Sequence, residues 1–323
     1  MRRSNLRHRI GYCFVAGNAP RNDKALELGN DALNSLIQNL VFGLFVGSIY
    51  GIAAVGLALV FGVMKMLNVA HGELLMIGGY VSFWLFQAAG VDPFVSMLIS
   101  APLVFLLGLV LNQLCFRHLA KMEPEPKIRN SLLISFGLVL ILQNLAQQLW
   151  AADERSIQTI YSGAGIEVMG IALPYTRLAN VVVALLVVVA LQLFLSRTWL
   201  GKAIRSTAEE WESAVLVGVN TRRIYFITLG LSAALAAIAG ALVAISYGIS
   251  PSIGLPWTLK ALIVVILAGT GSIFGVFPAG LLLGVGEALS GLVAGAEYRE
   301  VFGLLIFVVI LIVRPQGLFG RTL

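Results

Sequence analysis

Long apolar runs dominate the chain, and one of them is interrupted by a compact polar island. Residues 47–79 read GSIYGIAAVGLALVFGVMKMLNVAHGELLMIGG, in which the polar side chains cluster at Asn68, His71 and Glu73. The runs on either side are long enough for helices that cross a hydrocarbon layer about 30 Å thick. Polar side chains at a membrane boundary need partners other than lipid. The sequence therefore predicts a membrane protein with a structured polar island between its first two spans.

The composition agrees with a membrane protein and argues against other classes. Hydrophobic residues make up 59% of the 323 positions and charged residues 12%, against about a quarter charged in soluble domains. The net charge of +6 arises from basic residues gathered in short loops, where they indicate topology and not nucleic-acid binding. Cys13 and Cys115 do not suggest a disulfide framework. The three histidines lack the spacing of metal ligands, so we expect neither a metal nor a cofactor.

The apolar runs predict an all-α, polytopic transmembrane helical bundle with about eight or nine spans. The nine candidates are residues 36–63, 74–89, 94–116, 131–150, 178–195, 224–247, 259–270, 276–293 and 301–313. Gly269–Gly275 and Pro278 interrupt the apolar sequence between the seventh and eighth spans. Such a glycine and proline interruption is typical of discontinuous or re-entrant helices.

Basic residues predict the orientation of the bundle. If the spans alternate, twelve of them fall on one side, which is then cytoplasmic. They are Lys65, Arg117, Lys121, Lys127, Arg129, Arg197, Lys202, Arg205, Arg222, Arg223, Arg314 and Arg321. The other side carries Arg155, Arg177 and Arg299, with Lys260 just inside a span. An inner-membrane protein with a cytoplasmic C-terminus and an external N-terminus follows.

The first 35 residues conflict with this orientation, because they carry six basic side chains. We give more weight to the four later segments that carry the twelve basic residues, namely Lys65, residues 117–129, residues 197–223 and residues 314–321. All four place the same side of the membrane in the cytoplasm. We expect residues 1–35 to be a disordered extension or to follow from a misassigned start, since they lack the long apolar core of a signal peptide. The predicted domains are thus this tail and a transmembrane domain over residues 36–320.

The inner loop of residues 196–223 carries a helical pattern. Thr207 is suited to cap a helix, Glu209 and Glu210 would occupy its first turn, and Gly218 would end it. A short amphipathic helix at the cytoplasmic face suits docking in the groove of a partner. It suits equally an interfacial helix that lies on lipid headgroups.

A coupling motif in this loop resembles that of permease subunits of ATP-binding-cassette importers. Glu212, Ser213 and Ala214, then three further residues and Gly218, match the pattern EAA-x-x-x-G with Ser in the middle position. The whole chain resembles one branch of this class, the branched-chain amino acid permeases. Four blocks in the family's order carry the resemblance: residues 47–81, GKAIRSTAEEWESAVLVGVNTRRI, LKALIVVILAGTGSIFGVFPAGLLLGVGEAL and VRPQGLFG.

The resemblance implies a set of partners. Such a permease usually stands beside a second, related permease subunit, with two ATP-binding subunits and an extracytoplasmic solute-binding protein. The sequence itself indicates that energy must come from another chain, because Gly201-Lys202 is followed by Ala203 and no phosphate-binding G-x-x-x-x-G-K-[ST] loop exists. We therefore expect no enzymatic activity in this chain and ATP hydrolysis on a separate subunit.

Six polar residues within the spans are candidates for a pathway or a gate. They are Asn68, His71, Glu73, Gln143, Gln147 and Glu287. The first three lie at the predicted inner edge, where they would form either a gate or a simple turn in which Asn68 caps the second span and Glu73 occupies its first turn.

The fourth span carries an amide stripe at its outer end. Gln143, Asn144, Gln147 and Gln148 share one arc of that helix, and would serve either a pathway or contacts between helices. Glu287 must be paired or protonated at its predicted depth, and Lys260 is expected to snorkel.

Small residues recur every four positions in three spans, which predicts close helix packing. The three sets are Gly43, Gly47 and Gly51; Gly280, Gly284 and Ala288; and Ala233, Ala237 and Ala241.

The sequence thus favours an alternating-access permease subunit for branched-chain or related amino acids. A urea or short-amide permease is the alternative within the class. A stand-alone ion-coupled transporter, with Glu287 or His71 as its coupling site, is the alternative from another class. An intramembrane enzyme is not supported, since no nucleophile–base pair or metal ligand set is present.

Overall fold

The fold is a bundle of helices, as predicted. A computed structural model describes residues 21–119, 122, 124–168, 170–269, 274–314 and 316–320. Its α-helices are α1 (Arg21–Met64), α2 (His71–Ala89), α3 (Pro93–Leu111), α4 (Pro124–Trp150), α5 (Tyr175–Arg197), α6 (Trp199–Glu209), α7 (Trp211–Leu216), α8 (Thr221–Ser246), α9 (Gly254–Ala268), α10 (Val276–Ala294) and α11 (Arg299–Val313). Each of the nine predicted spans overlaps a helix, but six of the described helices are long and apolar enough to cross a membrane, so the predicted number of eight or nine spans stays a prediction.

The first helix begins earlier than the sequence indicates. We expected a disordered tail over residues 1–35, yet α1 already starts at Arg21. Residues 1–20 lie outside the described residues. The apolar part of this helix begins near Leu33, which is where the predicted first span starts.

Small residues bring α1 and α10 into backbone contact. A Cβ on Gly47 would come within 2.7 Å of the Gly280 carbonyl oxygen, and a Cβ on Gly43 within 2.8 Å of the Gly284 carbonyl oxygen. Gly51 lies against the ring of Phe277 on the same face. The two glycine stripes therefore pack on each other, which confirms the predicted packing and identifies each as the partner of the other.

The alanine stripe of α8 packs in the same way against two further helices. Ala233 faces Gly108 of α3, and Ala237 faces Gly78 of α2. Since α1 and α8 are mostly buried while α4 and α5 are mostly exposed, α1 and α8 form the centre of the bundle.

Two helices begin inside the bundle. His71, the first residue of α2, contacts Ser232 halfway along α8, and Gly254, the first residue of α9, lies beside Glu73. The predicted interruption follows α9, where Gly269 has a φ of +101°. Residues 270–273 of that interruption lie outside the described residues. Pro278 falls in the first turn of α10, where a missing N–H is tolerated.

One end of the bundle, called the hairpin end, carries a β-hairpin that was not predicted. Strands β1 (Gly165–Val168) and β2 (Ile171–Pro174) pair antiparallel between α4 and α5. Gln38 of α1 exchanges two 3.0 Å hydrogen bonds with the backbone of Ala172. Tyr161 donates a 2.7 Å hydrogen bond to Asp92, and burial together with this bond raises the pKa of Tyr161 to about 12.

The opposite end, called the tail end, holds α6, α7 and the C-terminal residues 316–320. The backbone N–H groups of Leu318 and Phe319 donate to the carbonyls of Leu267 and Ala268 at 2.8 and 2.9 Å. The tail thereby satisfies carbonyl groups that the end of α9 would otherwise leave unpaired. Arg205 of α6 lies 5.6 Å from the ring centroid of Phe274, just before α10.

Candidate functional site

The polar island lies deeper than the sequence indicates. His71 is 1% exposed, and its Nε2 lies 2.9 Å from the Ala53 carbonyl oxygen. Its Nδ1 lies 3.4 Å from the Ser232 hydroxyl, at the midpoint of α8. Residues 65–70 turn back into the bundle after α1 ends, so His71 lies in the protein interior, and its expected position at the inner edge of the membrane stays a prediction.

The turn predicted between the first two spans is correct for Glu73 and wrong for Asn68. Glu73 does lie in the first turn of α2, but the N-cap is Ala70, without a capping side chain. Asn68 is buried and does not cap the helix. Both carboxylate oxygens of Glu73 and the Oδ1 of Asn68 are buried without a hydrogen-bond partner among the described residues.

Thr258 of α9 connects the island to the rest of the bundle, and the sequence did not single it out. Its hydroxyl accepts a 2.8 Å hydrogen bond from the Gly72 N–H and donates a 2.9 Å hydrogen bond to the Val69 carbonyl oxygen. A lone threonine at the start of a span carries no local signal of this contact. The packing favours a structural turn, and a gate formed by the island stays a prediction.

Glu287 has the partner that its burial requires. Lys260 of α9 forms an ion pair of 2.5 Å with Oε1, and Tyr50 of α1 donates a 2.9 Å hydrogen bond to Oε2. The pairing prediction for Glu287 is confirmed, whereas the expected snorkelling of Lys260 is wrong, since its ammonium group turns into the bundle. Opposite charges in two neighbouring spans were a usable signal for the pair, but nothing in the sequence pointed to Tyr50.

The amide stripe of α4 faces away from the bundle. Gln143 is half-buried, while Asn144, Gln147 and Gln148 are exposed. Asn144 donates to the Leu140 carbonyl oxygen of its own helix at 2.7 Å. The structure therefore does not bring the α4 amides together with the polar island or with Glu287 inside this chain.

The inner loop forms two helices where we expected one. Thr198 caps α6 through a 3.0 Å bond from the Gly201 N–H. Thr207 lies inside α6 and donates to the Ala203 carbonyl oxygen, so its expected capping role is wrong. Glu210 adopts an extended conformation and separates α6 from α7.

The residues of the coupling motif lie on and after α7. Glu212 and Ser213 are exposed, Ala214 is buried, and Gly218 ends the segment with a φ of +86°. Large apolar side chains of α6, of α7 and of the residue after α7 are left uncovered at the tail end. They are Trp199, Trp211, Val215, Leu216 and Val217.

The structure is a multi-pass helical bundle in which two helices begin in the interior, an arrangement that is typical of membrane transport proteins. The chain belongs to a family described as the branched-chain amino acid transport system permease component, whose model matches residues 39–313. This membership confirms the resemblance seen in the sequence and supports a multi-pass membrane protein.

Named relatives cover nearly the full length. The high-affinity branched-chain amino acid transport system permease protein BraD of Pseudomonas aeruginosa is 36% identical over 299 residues, with 88% of this chain and 96% of BraD covered. The LivH proteins of Salmonella typhimurium and Escherichia coli, which bear the same description, are 33% and 31% identical with the same coverage. A solved structure, PsaBC from Streptococcus pneumoniae in complex with Fab, is similar at 11% identity with a TM-score of 0.47. The match covers 85% of this chain and 91% of that chain.

Proposed function

We propose that this chain is a permease subunit of an ATP-binding-cassette importer and forms part of the transmembrane pathway for branched-chain or related amino acids. The family match over residues 39–313 carries this proposal. Relatives at 31–36% identity are named as permease proteins of high-affinity branched-chain amino acid transport systems. The same observation favours amino acids over urea or short amides, and it favours an importer subunit over a stand-alone transporter.

The contact with the ATP-binding subunits is assigned to the tail end. Leu216 and Val217 are 86% and 79% exposed at the end of α7. A helix pair that leaves such side chains uncovered suits insertion into an apolar groove of a partner. Glu212, Ser213, Ala214 and Gly218 provide this contact in the proposal, and ATP hydrolysis takes place on two separate partner subunits.

The amide stripe of α4 is assigned to the pathway and to a second, related permease subunit. Gln147 and Gln148 are exposed near the hairpin end of a membrane-spanning helix. An amide without hydrogen-bond partners in hydrocarbon costs roughly several kcal/mol of free energy per group. Protein or pathway water on this face removes that cost, and a second permease subunit encloses the pathway.

The orientation follows from the basic residues. The tail end carries Arg197, Lys202, Arg205, Arg222 and Arg223 in or beside the loop between α5 and α8. We assign this end to the cytoplasm of a bacterial inner membrane. The hairpin end is then external, and receives the solute-binding protein, while the N-terminus of α1 is external and the C-terminus cytoplasmic.

Uptake by the reconstituted importer tests this function. The chain is co-expressed with a second permease, ATP-binding subunits and a solute-binding protein, and uptake of radiolabelled leucine and urea is measured in proteoliposomes. We expect leucine uptake that requires enclosed ATP. Uptake that persists without the ATP-binding subunits and collapses with a protonophore would instead identify a stand-alone transporter, and preferential urea uptake would identify the other permease class.

A further inference from the structure

A cavity of about 550 Å³ opens among α1, α5, α9, α10 and α11, with Tyr50, Lys260 and Glu287 in its wall. We call it the outer cavity. Its volume lies within the range of roughly 300–1,000 Å³ that is usual for small-molecule sites. Its charged lining residues are Arg177, Lys260, Glu287, Glu297, Arg299 and Glu300.

Charges of both signs line the outer cavity, and most of them are not paired with one another. Among the described residues, the one ion pair is Lys260 with Glu287, whose two carboxylate oxygens are both occupied. Within the described part of the chain, Arg177, Glu297, Arg299 and Glu300 form no ion pair. The outer cavity therefore offers free guanidinium groups and free carboxylates beside an internally neutralised pair.

Aromatic rings form its apolar wall. The Trp257 ring lies 5.5 Å from that of Tyr50 and 6.1 Å from that of Tyr247. The Arg177 guanidinium lies 4.0 Å from the centroid of the Phe42 ring, which holds this cation against the wall. Val46 adds an aliphatic surface. An apolar wall next to free charges of both signs suits a ligand that is itself apolar at one end and doubly charged at the other.

We propose that the outer cavity binds a free zwitterionic α-amino acid with an apolar side chain. The ligand carboxylate is bound by Arg177 or Arg299, since a guanidinium recognises carboxylates with two parallel hydrogen bonds. The ammonium group is bound by Glu297 or Glu300, and the side chain packs on Trp257 and its neighbours. The proposal rests on the proposed import of amino acids and names a site for them within one subunit.

Lys260 and Glu287 position the binding site in the outer cavity and do not bind the ligand directly. Glu287 accepts from both Lys260 and Tyr50, so its charge is neutralised and its orientation is fixed. A neutral amide such as urea would leave the free guanidinium and carboxylate groups unmatched. The outer cavity should therefore discriminate against uncharged solutes.

Equilibrium binding of radiolabelled leucine to the assembled importer tests the site. The complex is placed in nanodiscs of phosphatidylglycerol without its solute-binding protein. We expect saturable binding that unlabelled leucine displaces, and that leucinamide, 4-methylpentanoate and urea do not. Arg177→Gln should weaken binding about 10-fold or more. Arg222→Gln, at an exposed position of α8 at the tail end, is the matched control and should leave binding unchanged.

Three outcomes would overturn the proposal. The first is no saturable leucine binding by a complex that still imports leucine with ATP, which would leave the proposed function standing. The second is equal binding by the Arg177→Gln and Arg222→Gln complexes. The third is retention of phosphatidylethanolamine in native mass spectra that Arg177→Gln abolishes and leucine does not displace, which would assign the cavity to a lipid headgroup. Loss of ATP-driven leucine import itself would count against the proposed function.

Discussion

Lys260 and Glu287 form an ion pair of 2.5 Å between α9 and α10, and both side chains are largely buried. A buried pair contributes little net stability, because each charge loses its hydration. Removal of one partner is different, since the remaining charge stays buried without compensation.

This difference predicts how two variants behave. Lys260→Met should lower the free energy of unfolding by about 3–5 kcal/mol, whereas the double variant Lys260→Met, Glu287→Met should regain most of it because no lone charge remains. Thermal unfolding of the detergent-solubilised complex measures both. Lys202→Met, at an exposed cation of α6, is the control and should be neutral. A single variant as stable as this control would contradict the assigned role of the pair.

Gly218 should be needed for contact with the ATP-binding subunits. A Cβ at Gly218 meets no atom within 4 Å, but its φ of +86° strains any L-residue by roughly 1–3 kcal/mol. Gly218→Ala should reduce both co-purification of the ATP-binding subunits and leucine uptake. Gly163 has a φ of +90° and an equally open Cβ position in the loop before β1. Gly163→Ala therefore applies the same strain elsewhere, and equal co-purification by both variants would refute the coupling assignment.

Cysteine labelling tests the orientation. In a Cys13→Ser, Cys115→Ser background, Gln158→Cys should react with an impermeant maleimide added outside intact cells. Arg222→Cys should react only after the membrane is permeabilised. Both positions are exposed, so access depends on the side of the membrane. Labelling of both from outside, or the reverse pattern, would invalidate the proposed topology.

The α1–α10 contact should not tolerate added volume. A Cβ on Gly47 would come within 2.7 Å of the Gly280 carbonyl oxygen and of Leu281 Cα, so the helices must separate. Gly47→Ala should lower the free energy of unfolding by about 1–3 kcal/mol. Gly137→Ala serves as the control, because its Cβ meets nothing within 4 Å. The contact is less important than proposed if both variants unfold at the same temperature.

The amide stripe of α4 should face protein or pathway water. Gln147→Leu should insert normally, since a more apolar span inserts at least as well. If the stripe lines the pathway, uptake falls more than assembly does. If it only joins helices, stability in detergent falls at unchanged specific transport. Leu145→Ala, an exposed position without an amide, is the control. Labelling of Gln143→Cys and Gln147→Cys by a lipid-phase probe in the assembled complex would reject both roles of the stripe, lining the pathway and joining helices.

Local sequence was sufficient for the long apolar helices of this fold, but not for the β-hairpin or for the division of the inner loop into α6 and α7. Spans could be located because the hydrocarbon layer requires a continuous apolar stretch whatever the rest of the chain does. The glycine stripe from Gly43 to Gly51 predicted close helix packing, because the absence of a side chain can be read from the local sequence alone. Gly218 could be read as a helix end because a positive φ favours glycine in any context.

The positions of polar groups were decided by the tertiary structure. His71 was expected at the membrane edge and lies against Ser232, 161 residues further along the chain. Tyr50 reaches Glu287 across 237 positions, and no local pattern marks it. The sequence by itself determined a helical membrane bundle, its apolar helices and its family. Only the tertiary structure decided which polar side chains meet, because a buried polar group is stabilised by whichever partners the packing of distant helices brings within hydrogen-bond distance.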